Sequence, residues 1–393
     1  MNLVGRSQKQ AAQDGKVLQH ITLKLRLYPT PEQAELMEKT FGCCRYLWNQ
    51  MLSDVQEFYA ATDVHYIPTP AHYKKNAPFL REVDSQALCT VHQNLRKAFM
   101  DFFRNPVVFS YPRFKTKKAR KDSFTVYCRD YRTGPSIYLT GTGLQMPKLG
   151  LIRAKVHRKP LHWWSLRFVT VSRTRSGKYF CAATFGYKVS APEQVNPAPE
   201  RTVGLNYSPS GFYVDSQGAS PAMPATAKSR EKLARMQKKL SRMVPGSQNY
   251  QDQLQKIRLL HEHIANQRKD FIHKESRRIA NAWDAVCVRD TDLVELSQKL
   301  RQVHVMDAGF GLFRQCLQYK LARQGKPLIV LDRLAPTAKT CACCGQVNDR
   351  LTVRDRRWIC PSCGAELVRE VNAARNIRDM GLEQLRKERQ SAA

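Results

Sequence analysis

The chain has 393 residues, with 65 Lys and Arg against 33 Asp and Glu, and a formal net charge of +32 at pH 7. A polyanion is needed to offset that self-repulsion, and the length allows two or three domains, since single cores stop growing near about 250–300 residues. The charge is spread along the chain and no run approaches the ~20 apolar residues of a membrane span, so no membrane partner is expected and nucleic acid is.

The polar start, MNLVGRSQKQAAQDGK, has no apolar signal-peptide core, and residues 1–19 read as a disordered tail of a cytoplasmic protein. HITLKLRLYP alternates apolar and basic residues from Ile21 to Leu27, the pattern of a half-buried strand. Thr30, Pro31 and Glu32 then open a helix carrying Leu36, Met37, Phe41, Leu47 and Trp48, and a second helix runs from Ser85 to Phe103. Strands return at Leu144 to Arg153, Leu166 to Thr174 and Tyr179 to Tyr187. This order predicts a small β-barrel (20–32 and 105–190) with a helical insert (33–104). VSAPEQVNPAPER, with three prolines, predicts a linker at 191–201.

Beyond it, TVGLNYSPSGFYVDSQG predicts two short strands, and Lys228 to Ala280 a basic helical region broken at Pro245 to Ser247. The strand DAVCVRD, a helix near Ala308 to Gln324 and the strand PLIVLDR follow. Alternating strands and helices predict an α/β domain over 202–335 and 366–380, with a tail from 381 to 393.

Five of the twelve cysteines crowd between Cys341 and Cys363, which favours a metal site over a secreted disulfide framework. Cys341-x-x-Cys344 and Cys360-x-x-Cys363 stand fifteen residues apart, the spacing of two knuckles that offer four thiolates to one structural zinc. Gly345 and Gly364 follow each pair, Cys343 is a bystander, and the intervening VNDRLTVRDRRWI is expected to form a hairpin within an element spanning 336–365.

LRLYPTPEQ, FGCCRYLWN, YPRFKTKK, MPKLG, SGKYF, NQRKDFIHK, LQYKLARQGK, TCACCG with CPSCG, and VNAARNI occur in an order and spacing by which the chain, from about Ile21 to Met380, resembles the TnpB family of transposon-encoded RNA-guided nucleases, relatives of compact type V CRISPR effectors. The resemblance implies an α+β multidomain fold: an oligonucleotide-binding β-barrel with a helical recognition insert, then an RNase H-like (RuvC) α/β domain carrying a zinc-ribbon insertion. It also implies a guide RNA, a double-stranded DNA target with a short adjacent motif, and cleavage by three acids holding two magnesium ions.

Two hard cations held close together need charged oxygen ligands. The sequence departs from the family at all three positions. Asn206 stands at the first acid, Arg289 at the second, and VREVNAA gives Val368 and Glu370 for the two aspartates of the third motif. Mg2+ is therefore not expected there. The rival reading is a shifted or relocated site using Asp215, Asp290, Asp292, Asp307 or Asp332, although strand alternation turns Asp290 away if Arg289 points in.

Lys115, Lys117, Lys118, Arg120 and Lys121, interleaved with Phe114 and Phe124, suit phosphate contacts and base stacking. Arg268, Lys269, His273 and Lys274 resemble the family's basic helix along the guide–target channel, and Tyr66, Ser85, Gln86 and Thr125 its reader of the adjacent motif. The expected function is guided, non-cutting binding of double-stranded DNA that represses transcription. The alternatives are an active RuvC-type endonuclease and a non-guided DNA-binding accessory of transposition.

Overall fold

Leu23, Leu25 and Leu27 alternate with Lys24, Arg26 and Tyr28 along β1 (Lys16–Tyr28), and only the leucines are buried. The computed structural model describes residues 16–117, 122–132, 134–208, 211–222, 227–291, 309–352 and 355–392. The chain divides into two compact units, Met1–Ser190 and Ala191–Ala393.

In the first unit Thr30 caps α1 (Pro31–Thr62): its hydroxyl accepts from the Gln33 N–H while the Gln33 side chain accepts from the Thr30 N–H. The helix ends at Asp63, a left-handed residue with φ 56°. After the short α2 (Pro70–Asn76), α3 (Ser85–Arg104) starts at Asp84, whose carboxylate accepts from the Gln86 N–H at 2.6 Å.

Strands β2 (Asp122–Tyr127), β5 (Tyr138–Leu139), β6 (Gly143–Met146), β7 (Gly150–Lys155), β8 (Ser165–Arg173) and β9 (Tyr179–Ser190) join β1 in a seven-stranded antiparallel sheet, ordered β2-β8-β9-β1-β7-β6-β5. The pair β3 (Asp130–Tyr131) and β4 (Gly134–Pro135) stands apart from it. Met37, Phe41, Leu47 and Met51 of α1 and Leu88, Leu95 and Phe99 of α3 share one core with the inward residues of the sheet.

Three expectations change here. The barrel is an open sheet: among the described residues the edge strands β2 and β5 do not pair, and a two-residue β5 offers too short a ladder to close it. Strand β1 already starts at Lys16, inside the expected tail, and residues 16–19 pair with β9. Strand β2, unforeseen, sends Asp122, Phe124 and Val126 inward. The Asp122 carboxylate is neutralised by Arg45 at 3.1 Å and Arg173 at 2.8 Å.

In the second unit β10 (Thr202–Tyr207), β12 (Ala285–Arg289) and β13 (Leu328–Leu331) are parallel, and β11 (Tyr213–Asp215) lies antiparallel at the edge beside β10. The helix α4 (Ala227–Leu240) precedes α5 (Gln248–Ala282), and α5 and α6 (Phe310–Ala322) pack on one face through Val203, Leu205, Val286, Val288, Ile272, Ile279, Phe313 and Leu317. After β14 (Arg357–Ile359) and β15 (Glu366–Val368), α7 (Arg369–Ala392) covers the other face. That helix corrects the expected tail at 381–393, since Gly381 lies against Cys287 and Leu385 packs on the Ile329 and Ile377 core. The expected linker is docked on its own unit: the Val195 N–H donates to the Gly325 carbonyl at 2.9 Å.

Candidate functional site

The register sets Leu205 beside Val288 on parallel β10 and β12, and Asn206 and Arg289 are the next residue along each strand. The orientation of this pair follows from the residues two positions earlier. A Cβ on Gly204 would lie 2.0 Å from the Ala374 carbonyl oxygen of α7, and the Cys287 thiol lies 3.8 Å from the Arg378 carbonyl. Asn206 and Arg289 therefore face the α7 layer, and Glu370 sits in the first turn of α7. The arrangement lies at the carboxyl ends of parallel strands, where open α/β sheets place their ligands.

Within it, Arg289 Nη1 donates to Thr337 Oγ1 at 3.2 Å. Burial, and then the charge of Arg369, push the Arg289 pKa down from the usual arginine value. Glu370 Oε1 accepts from Ser208 Oγ at 3.1 Å. Among the described residues no acid pairs with Arg289, and the half-buried Asn206 side chain has no hydrogen-bond partner. A fixed positive charge ~5 Å from Mg2+ costs roughly 6–7 kcal/mol at an effective dielectric of ~20.

Three of the five rival acids fall among the described residues, and each is engaged in an ion pair or hydrogen bond. Asp290 pairs with Arg314 of α6, on the opposite face of the sheet from Arg289. Asp215, buried in β11, accepts from the Gln217 and Ala219 N–H groups at 3.0 and 2.8 Å, and Asp332 from the Leu334 N–H at 2.7 Å. Asp292 and Asp307 lie outside the described residues. Val368 is exposed at the end of β15.

The sulfurs of Cys341, Cys344, Cys360 and Cys363 all lie within 4.8 Å of one another, with Cys341 to Cys363 at 3.7 Å and Cys344 to Cys360 at 3.6 Å. A zinc–sulfur distance of about 2.3 Å makes the edge of a tetrahedron about 3.8 Å, so the cluster fits one zinc. The knuckles are built alike. The Gly345 and Gly364 N–H groups donate to the Cys341 and Cys360 carbonyls at 2.9 Å, and both glycines take positive φ, 77° and 71°. Cys343 is exposed, and its N–H points to Cys341 Sγ at 3.4 Å. The expected hairpin within 347–359 is replaced by β14 pairing with β15 across the second knuckle, which carries the element on to Val368.

Two residues with a structural task were missed. Asn372 of α7 accepts from the Ala342 N–H at 2.9 Å and donates to the Thr340 carbonyl at 2.7 Å. Asn376 donates to the Thr337 and Thr340 carbonyls at 2.8 and 2.6 Å. These buried amides, one helical turn apart, latch the cysteine element to α7 and hold Thr337, the partner of Arg289. The signal was present in VNAARNI as two asparagines at i, i+4 on one helix face.

The expected nucleic-acid residues fare unevenly. Phe124 is buried, with its ring 5.5 Å from Phe41, so it stacks on the core and not on a base. Phe114 and Lys117 are exposed, whereas the Lys115 ammonium rests 3.6 Å from the Trp48 ring centre. Lys118, Arg120 and Lys121 lie outside the described residues. On α5, Lys269 and Lys274 are exposed, Lys274 paired with Asp270 at 2.7 Å, and Arg268 is half-buried. His273 differs from the expected cationic contact. It is half-buried 3.8 Å from Cys316 Sγ, and burial, Lys320 and Lys269 push its pKa down, so it is neutral near pH 7. In the first unit Tyr66 is exposed beside Phe58, Ser85 is exposed, Gln86 is half-buried, and Thr125 shares a 2.8 Å hydroxyl hydrogen bond with Thr170.

Residues 310–377 match the family described as "Cas12f1-like, TNB domain", residues 185–299 "Probable transposase", and residues 19–63 "Helix-turn-helix domain". This last segment is here a strand and one uninterrupted helix. A Streptomyces pristinaespiralis protein named "Putative RNA-guided DNA endonuclease" is 33% identical over 371 residues, covering 91% of this chain and 89% of the relative. The similarly named InsQ of Escherichia coli is 29% identical over 379 residues, 90% of each chain. The chain in "Cryo-EM structure of the Cas12f1-sgRNA-target DNA complex" shares the fold at TM-score 0.58 and 11% identity, over 93% of this chain and 99% of that one. The chain belongs to the TnpB family. Among the described residues no helix is long and apolar enough to cross a membrane.

Proposed function

We propose that this protein is a guide-RNA-directed DNA-binding protein that holds its target uncut and represses transcription by occupying it. The names of the relatives and the guide- and target-bound fold neighbour support guided DNA targeting. The observation that carries the non-cutting part is Arg289: a cation, with Asn206 beside it, on the face and at the strand ends where two magnesium ions would need carboxylates. One acid, Glu370, remains, and a single carboxylate does not hold a metal pair. The rest of the molecule keeps the binding parts: a net charge of +32, exposed lysines on α5 and the cysteine element.

The test is to purify the protein with its bound RNA, sequence that RNA, and incubate the complex with a matching plasmid and Mg2+. The expected result is one discrete RNA species, tight guide-dependent retention of the plasmid, and no nick. A guide-dependent nick would overturn the non-cutting reading, and a smear of cellular RNA the guided one.

A further inference from the structure

We propose that the pocket of Asn206, Arg289 and Arg369 is a phosphate site that grips the backbone of a nucleic-acid strand directly, charge-reversed from a metal site. This rests on the functional reading above, since it takes that pocket as the place where a strand lies.

The pocket's own chemistry argues for an anion. Arg289 uses one of its five N–H donors, on Thr337 Oγ1, and among the described residues has no carboxylate partner. Burial removes part of the Arg289 hydration, so an anion that accepts from its remaining N–H groups is favoured there. Arg369, in the first turn of α7, adds a second positive charge strong enough to help depress the Arg289 pKa. The side-chain amide of Asn206, on the neighbouring strand about 4.8 Å away, brings two further donors that nothing in the described residues uses. The acids nearby are already engaged: Glu370 accepts from Ser208, and Asp355, which also feels Arg369, accepts from Thr352. Among the described residues, the two cations and the unused Asn206 donors face carboxylates whose oxygens are already engaged. A phosphodiester meets these demands, since its two free oxygens can accept from a guanidinium edge and an amide together. In a nuclease, magnesium ions would bridge protein carboxylates to that phosphate, and here the guanidinium makes the bridge unnecessary.

The test compares wild type, Arg289→Gln and Arg289→Lys, each purified with its bound RNA and matched in melting temperature and zinc content. Binding of fluorescent single-stranded DNA and RNA oligonucleotides, matching or unrelated to the bound RNA, is measured across a salt series. For wild type against Arg289→Gln, affinity is expected to fall about tenfold and the slope of log K against log salt to flatten by about 0.7, the value for one phosphate on a single strand. Arg289→Lys keeps the slope and loses part of the affinity. An effect confined to DNA assigns the grip to the target or displaced strand, and one confined to RNA assigns it to the guide. Unchanged affinity and slope in Arg289→Gln overturns the phosphate site. Dependence on sequence match is read separately in every variant, so a failure of guiding is distinguishable from a failure of this site.

Discussion

Asp290 is paired with Arg314 on the α6 side of the sheet, while Arg289, one residue earlier, reaches Thr337 on the α7 side. The alternation of a strand thus separates the one acid of VRD from the pocket in which a metal would be needed. Asp290→Asn is therefore expected to leave plasmid integrity and guided binding unchanged. Both side chains are about half exposed, at 53% for Asp290 and 40% for Arg314, so the loss of stability should stay within about 1 kcal/mol. Chemical denaturation checks the stability. Cleavage by the wild type that disappeared in Asp290→Asn would identify a relocated site.

Restoring the lost charges should restore the cation. In the double variant Asn206→Asp with Arg289→Glu, two carboxylates enter the pocket beside Glu370 and the fixed repulsion of roughly 6–7 kcal/mol is removed. Titration calorimetry with Mg2+ or Mn2+ is expected to show divalent binding in the double variant and none at the same concentrations in the wild type. Equal heats from both proteins would mean that Arg289 does not set the selectivity.

The cysteine element and the pocket are joined by a short chain of hydrogen bonds. Thr337 receives the Arg289 guanidinium on its hydroxyl and the Asn376 amide on its carbonyl, and Asn376 also holds Thr340, which precedes Cys341. Elemental analysis is expected to give one zinc per chain in the wild type and in Cys343→Ser, and less than one in Cys360→Ser. Loss of the metal frees Thr340 and Thr337, so Cys360→Ser should lower the melting temperature and also flatten the salt dependence attributed to Arg289. A variant that lost zinc with both readouts unmoved would show the element to be independent of the pocket.

Much of this arrangement was legible because its signals are local. Leucine alternation located β1, the run Thr30, Pro31 and Glu32 located the start of α1, and the paired Cys-x-x-Cys located the knuckles. Asn206 and Arg289 each stand near the end of a short apolar strand that the sequence shows. What escaped depends on contacts distant in sequence. Phe124 was read with the basic run before it, whereas its partner is Phe41, and only the inward alternation of Asp122, Phe124 and Val126 shows the strand. The open edge between β2 and β5 is a property of pairing, which residue types alone do not specify. The last turns of α7 carry the polar run LEQLRKERQ, yet Leu382 is buried and Leu385 packs on the core.

His273 yields a pH prediction with a definite sign. Its ring lies by Cys316 Sγ, its carbonyl accepts from the buried Lys320 ammonium at 2.6 Å, and Lys269 adds a further positive charge that Asp270 only partly offsets. Burial and these cations hold its pKa below the ordinary histidine value, so the folded chain binds this proton less readily than the unfolded chain. Stability from this group is present in full above the unfolded pKa of about 6.5 and is lost as pH falls from there through the lower folded value. His273→Gln, which keeps a polar side chain without the titration, should flatten that part of the profile, measured as the difference in unfolding midpoint between the two proteins from neutral pH downward. An opposite slope, with the wild type gaining stability over the variant as pH falls, would mean that His273 binds its proton in the folded state and sits in a negative environment, contrary to the Lys320 and Lys269 charges around it.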